Sequence, residues 1–294
     1  MNFSWILPIL LIFQQVHIPD SSLYLTKDGQ TISMINRSDF STVLPGLPII
    51  DPEKVNQFLG KLDKQVYKEP QNAVIDKQGN ILTEQVGYEL YQKAFMEQFY
   101  SYYFNNGPAK FEIPLIAIYP RVDSELLADI RSERIGRYVT TFNVRNKTRA
   151  NNIKIAVNAL NNTVVFPGET FSFNRVVGKR TVEKGYLRAP VIIRGELSED
   201  IGGGICQVSS TLFNAVDNAG LQIVQRFSHS REVPYIPHGR DATVSWYGPD
   251  FVFKNKYNQP ILIQAKTLGG NLIIKVFSSE VINYRPRKVP FPNS

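Results

Sequence analysis

The single cysteine of this 294-residue chain, Cys206, directly follows Gly202, Gly203, Gly204 and Ile205, and it opens an apolar repeat at Val208, Leu212, Ala215 and Ala219. That spacing predicts a helix beginning near Cys206. A thiol at a helix start meets the positive end of the macrodipole, which favours the thiolate and could also steady an oxyanion. Three glycines before it permit turns and close approaches that side chains would block. His229 and then Asp241 follow Cys206 along the chain, beyond the end of that helix. Residues of these types can serve as nucleophile, general base and orienting carboxylate.

Whether they meet depends on the strands that carry them. If residues 231–240, with Pro234, Pro237 and Gly239, form the loop of a hairpin, His229 lies beside Asp241 across two strands, where facing Cβ atoms are about 5 Å apart. If the turn tightens on Pro237, His238 and Gly239, His229 falls near Tyr247 and His238 becomes the remaining base. Plainer roles stay open: Cys206 as a small core residue, His229 as a hydrogen-bonding sheet residue, Asp241 as a turn cap, and the glycines as a bare loop or anion nest. No Gly-Lys-Ser/Thr follows the glycines, so they do not form a nucleotide-binding loop. Cys206, His229, His238 and Asp241 are acceptable zinc ligands but lack a short-spaced pair, and neither a metal nor another cofactor is expected.

The elements that must position these groups read as α+β. A 43% hydrophobic and 20% charged composition describes a globular chain long enough for about two domains. The segment from Met1 to Phe13 is nearly all apolar and too short to span a bilayer. It reads as a degenerate export signal that lacks a basic start and a small-x-small site, or else as a buried first element. Asp51 and Pro52 cap a helix with Val55, Phe58, Leu59 and Leu62 on one face. A hairpin turns at residues 77–80, a second helix opens at Thr83, a strand spans 111–119, and a short helix covers 124–130. Beyond the charged stretch 131–137 come a helix at 149–160, strands near 164–166 and 189–194, the Cys206 helix, and strands near 221–230, 242–247, 251–253, 260–265 and 272–277. The expected architecture is two α+β domains, residues 23–130 and 131–284, flanked by residues 1–22 and a tail, 285–294. The second carries a mainly antiparallel sheet and the helix that starts at the Gly-rich Cys motif.

Three sets of residues resemble motifs of the VanW family. The first is residues 166–174 (FPGETFSFN) with Gly178, Thr181, Gly185 and Tyr186; the second is residues 202–211 (GGGICQVSST). The third is His229, Ser230, residues 239–244 (GRDATV) and Asn255. They occur in the family's order, and the resemblance runs from Gly136 to Phe277. The order of elements in residues 23–130 is similar to a peptidoglycan-binding domain that precedes VanW domains. The resemblance implies an extracytoplasmic protein, secreted or attached to the membrane or wall, with peptidoglycan or anionic wall polymers as partners. It brings no established reaction with it. Gly202, Gly203, Gly204, Gln207, Ser209, Asn174 and Arg240 are the motif residues expected to contact a ligand.

A net charge of +7 suits an anionic partner. Its Lys and Arg are scattered with no long run, which argues against nucleic acid. Arg175, Lys179, Arg180, Lys184, Arg188 and Arg194 form either a solvated basic face or a surface for acidic polymers. Tyr235, Trp246 and Tyr247 are either core residues or the floor of a sugar or peptide groove. Two functions follow: a non-catalytic wall-binding accessory protein, or a cysteine enzyme of papain or transglutaminase type cutting or transferring amides of wall peptides.

Overall fold

In a computed structural model, residues 22–42, 49–105, 109–193 and 196–291 are described. The apolar N-terminal segment and Arg194 lie outside them. Mixed helices and largely antiparallel strands give an α+β fold. Two compact units emerge, Met1–Gln71 with Gln85–Pro120 and Asn72–Glu84 with Arg121–Ser294. Among the described residues, no helix is long and apolar enough to cross a membrane.

In the first unit, strand Ser22–Lys27 lies between Gln30–Asn36, antiparallel, and Ala109–Glu112, parallel. Leu23 and Leu25, two positions apart and therefore on one face, are buried among Val55, Leu59, Leu62, Phe95 and Phe99. Helix Pro52–Val66 starts as its sequence demands: Asp51 accepts the N–H groups of Glu53 and Lys54, and Pro52 occupies the first turn. The second helix begins at Gln92, not Thr83, and ends at Phe104. Residues Gly87–Leu90 are instead a strand paired with Leu115–Ile118. That pairing also splits the expected strand 111–119. Pro114 has no N–H to continue a ladder, so the chain leaves one sheet at Glu112 and joins another at Leu115.

The second unit is built on a four-stranded antiparallel sheet, in the order Glu133–Thr141, Asn271–Ser278, Ile261–Leu268, Thr163–Val165. Alternation along the strands sends Ile261, Ile263, Leu272, Ile274 and Val276 to the face covered by helices Lys147–Leu160 and Ile205–Asn218. Leu262, Val164 and Phe277 point the other way, against Ile75, Leu127 and Ile130. Hairpin residues 74–82 and helix Ser124–Ile130, which the sequence reading placed in the first half, thus close the far face of this sheet. A smaller sheet joins Thr170–Ser172, Val252–Lys254 and Gln222–Gln225. Arg188–Ile193 and Glu196–Ile201 form a separate hairpin.

Helix Ile205–Asn218 is buried on nearly all sides, with eleven of its fourteen residues in the interior. It packs tightly on the sheet at Gly136, where an added Cβ would lie 2.4 Å from the Ala215 carbonyl oxygen and 2.8 Å from the Ala219 side chain. Gly136→Ala should therefore lower stability by about 1–3 kcal/mol through overpacking. Gly60→Ala, on an exposed helix position with nothing within 4 Å, should raise it by about 0.4–1 kcal/mol. Denaturant unfolding of the two variants checks the opposite signs.

Candidate functional site

The turn before Cys206 requires its glycines. Gly202 and Gly204 adopt φ of +92° and +104°, a region costly for other residues. Gly203 packs so closely that a Cβ would lie 2.6 Å from the carbonyl oxygens of both Ala189 and Pro190. Asn152, on the neighbouring helix, donates to the Gly203 and Leu187 carbonyls at 3.0 and 2.8 Å and accepts the Leu187 N–H at 2.8 Å. Cys206 consequently stands in the first turn of the helix, partly buried and unpaired with any other cysteine.

Residues 240–244 run back along that helix, held by its polar side chains. Asn214 Nδ2 donates to the Arg240 carbonyl at 2.8 Å, and Ser210 Oγ accepts the Ala242 N–H at 2.8 Å. Ser209 Oγ donates to the Ala242 carbonyl. At the far end, the Cys206 sulfur lies 3.7 Å from Thr243 Oγ1 and 3.6 Å from the Val244 carbonyl oxygen. The Arg240 guanidinium binds Asn214 Oδ1 at 2.8 Å and Asp217 at 2.6 Å, and Asp217 also takes Arg287 at 2.8 Å. Arg240, expected to contact ligand, thus fastens this strap.

Asp241 projects from the strap to His229. One carboxylate oxygen, Oδ2, accepts both the His229 backbone N–H and its Nδ1–H, each at 2.6 Å. The side chains are only 6% and 9% exposed. With Nδ1 committed, Nε2 is the imidazole nitrogen left free, and the charges of His229 and Cys206 interact. The meeting arises without the expected strand pair. Beyond Gln225 the chain has no regular strand until Val252, and the Thr243 N–H to Phe227 carbonyl bond of 2.8 Å brings the two segments together.

The electrostatics reinforce the geometry. Burial pushes the Cys206 thiol up, but hydrogen bonding to His229 and the Val244 backbone, the His229 charge and Thr243 outweigh it, so it titrates below an ordinary thiol. Burial opposes a charged His229; the Cys206 and Asp241 interactions prevail and raise the imidazole. Asp241 is lowered, its desolvation overcome by the His229 hydrogen bonds and charge. These directions favour a thiolate facing an imidazolium.

His238 lies apart from this group, paired at the surface with Glu232 at 2.7 Å. Gln207 is buried, donating to Thr140 Oγ1 at 3.0 Å and the Thr141 carbonyl at 2.8 Å while accepting from Arg149 at 2.7 Å. Asn174 holds the following loop through the Ser245 and Pro249 carbonyls at 2.9 and 3.2 Å and accepts from Arg180 at 2.8 Å. Trp246 and Tyr247 are exposed on that loop, whereas Tyr235 is partly buried near the thiol. Arg149 is a site residue that sequence reasoning missed: it falls in the first turn of a helix whose apolar repeat carries no sign of it. A cavity of about 260 Å³ lined by His229, Asp241, Val233, Ile236 and His238 opens beside the pair. Another cavity, about 350 Å³ around Phe142, Lys154 and Leu268, touches none of these groups. Among the described residues, no cluster of three His, Cys, Asp or Glu is arranged to hold a metal ion.

Residues 148–277 match the family model described as VanW like protein. The chain is 59% identical over 281 residues to the uncharacterized protein YoaR of Bacillus subtilis (strain 168), covering 96% of this chain and 93% of the relative. It is 35% identical over 135 residues to the vancomycin B-type resistance protein VanW of Enterococcus faecalis (strain ATCC 700802 / V583), covering 44% of this chain and 49% of that protein. No solved structure matches.

The Asp217 ion pairs supply a measurable link between strap and stability. Burial raises the Asp217 carboxyl, but Arg240 and Arg287 lower it by more. A depressed folded pKa gives stability that is complete above the unfolded value and is lost as pH falls through the folded one. Asp217→Asn should therefore cost about 2 kcal/mol near neutral pH, and its unfolding midpoint should converge on that of the wild type in acid.

Proposed function

We propose, from the premise that this chain belongs to the VanW-like family, that it is a cysteine enzyme working on peptide amides of the bacterial cell wall. The observation that carries this reading is the buried pair of Asp241 and His229, with a carboxylate 2.6 Å from Nδ1 and an imidazole whose charge interacts with a thiol at a helix start.

In this mechanism the Cys206 thiolate attacks the amide carbonyl carbon. The carbonyl oxygen takes the negative charge, facing the dipoles of the first helical turn. The C–N bond then breaks, and the imidazolium of His229 gives its proton to the departing amine. The resulting thioester is released by water, as hydrolysis, or by another amine, as transfer. His229 takes the proton of that second nucleophile, and the thiolate leaves. Asp241 keeps the imidazole in the tautomer and orientation that both steps need.

The wall substrate, and a place outside the cytoplasm, are supported by the family resemblance and by the +7 charge, which favours anionic wall polymers. The similarity of residues 23–130, in the element order expected from sequence, to a peptidoglycan-binding domain fits a role in holding the polymer.

Alkylation by iodoacetamide tests the chemistry directly, since Cys206 is the only cysteine of the chain. The native thiol should react readily at pH 6. His229→Ala should slow that reaction by roughly 10-fold or more and move the profile toward that of an ordinary thiol. A thiol that stays inert until the protein is denatured sinks the enzyme reading and leaves a non-catalytic wall-binding protein.

A further inference from the structure

Two arginines flank the thiol with no carboxylate within ion-pair distance among the described residues. Arg180 lies across Gly202, where an added Cβ would sit 3.2 Å from its Cβ and Cγ; Arg149 lies across Gly204, at 3.0 Å from its Cγ. The glycine turn that launches the Cys206 helix is therefore also the space through which both side chains pass. Each guanidinium is held by a neutral amide oxygen: Arg149 by Gln207 Oε1 at 2.7 Å, Arg180 by Asn174 Oδ1 at 2.8 Å. Neither forms an ion pair among the described residues.

Both are substantially desolvated, and both interact with the Cys206 charge. The other titratable groups facing them are Tyr235 for Arg149, and Tyr186 and Asp250 for Arg180. Asp250 is already engaged by Ser172 Oγ at 2.5 Å and by the Asn174 N–H at 2.9 Å. Arg180 Nη1 and the phenol oxygen of Tyr186 are buried with no hydrogen-bond partner among the described residues, and Tyr186 is 1% exposed. Partly buried cations held only by neutral groups are costly, and unpaired buried donors call for a partner. One thiolate cannot supply the oxygen acceptors that the N–H donors of two guanidinium forks call for.

We infer that Arg149 and Arg180 bind a free carboxylate of the substrate next to the scissile amide. The substrate class is thus a peptide whose carboxylate lies on or beside the residue carrying the carbonyl that Cys206 attacks. This rests on the thiol reading proposed above and narrows it, because a neutral internal peptide segment would leave both guanidinia unanswered.

Competition between two small alkylating agents tests it. Iodoacetate and iodoacetamide both place a CH2 group on sulfur and release iodide, and they differ only in carboxylate against carboxamide. Both consume the same thiolate, so the ratio of their rates cancels any change in the thiol's ionisation. The native protein should favour iodoacetate about 10-fold or more relative to free cysteine. Arg149→Gln and Arg180→Gln should each cut that preference several-fold, while Arg180→Lys, which keeps the charge, should retain part of it. A ratio equal to that of free cysteine, or one unmoved by both Gln variants, overturns the inference while the enzyme reading stands.

An inert thiol would remove the enzyme reading and the scissile amide with it, leaving the carboxylate site at Arg149 and Arg180 to be tested by itself. The inference is then read from the Cys206→Ala protein, by NMR titration with N-acetylalanine and with N-acetylalaninamide. Binding of the carboxylate but not the amide, lost in the added Arg180→Gln variant, supports it. Equal response to the two compounds overturns it.

Discussion

A helix buried on nearly every side cannot leave an interior polar side chain without a partner, and the interior run of helix Ile205–Asn218 from Gln207 to Val216 includes Gln207, Ser209, Ser210, Thr211 and Asn214. Each unpaired group there would cost about 1–3 kcal/mol. Ser209, Ser210 and Asn214 resolve this by gripping residues 240–242, while Thr211 shares a hydrogen bond of 2.8 Å with Thr140 on the sheet. The strap is therefore a requirement of the helix's own burial. Asp241 sits within it, so the demand that satisfies the helix also aims a carboxylate at His229.

Precision in the site follows from this coupling. Catalytic geometry is most exact when the reacting groups stand on packed elements with supporting hydrogen bonds. Cys206 is fixed by a turn that admits only glycine at the Gly203 contact, and the strap is tied at its other end by Asp217 and Arg287. The two segments that bring His229 and Asp241 together are irregular, yet they inherit their register from the helix. Their order comes from side chains instead of a strand ladder.

What was legible in the sequence was local. The Cys206 helix showed in its apolar repeat and the Asp51 cap in its Asp-Pro pair, and the strands expected near 260–265 and 272–277 correspond to Ile261–Leu268 and Asn271–Ser278. Long-range choices were not legible. Residues 87–90 have a helical pattern, but pairing with Leu115–Ile118 overrides it. Ser209, Ser210 and Asn214 look like the wet side of an amphipathic helix, because their partners lie in the strap, far along the chain. His229 and Asp241 were expected together across a hairpin; they meet through a carboxylate bridging a backbone amide and an imidazole, an arrangement with no periodic signature. Arg149 was invisible for the same reason, since only the folded glycine turn shows where its stem must pass.

The far face of the large sheet has a consequence for how the chain can be divided. Leu262, Val164 and Phe277 are covered by residues 73–82 and 122–130, and Ile75 exchanges hydrogen bonds of 3.1 and 3.0 Å with Asn162, 87 positions later. During synthesis that hairpin leaves the ribosome long before the strands it will cover, and it waits for most of the chain. A fragment trimmed to residues 148–277 would lose this cover and also the edge strand Glu133–Thr141. It would present an apolar sheet surface and an open ladder, the two features that most readily drive chains to aggregate. The stretch matched by the family model is thus shorter than the stretch that covers both faces of the sheet.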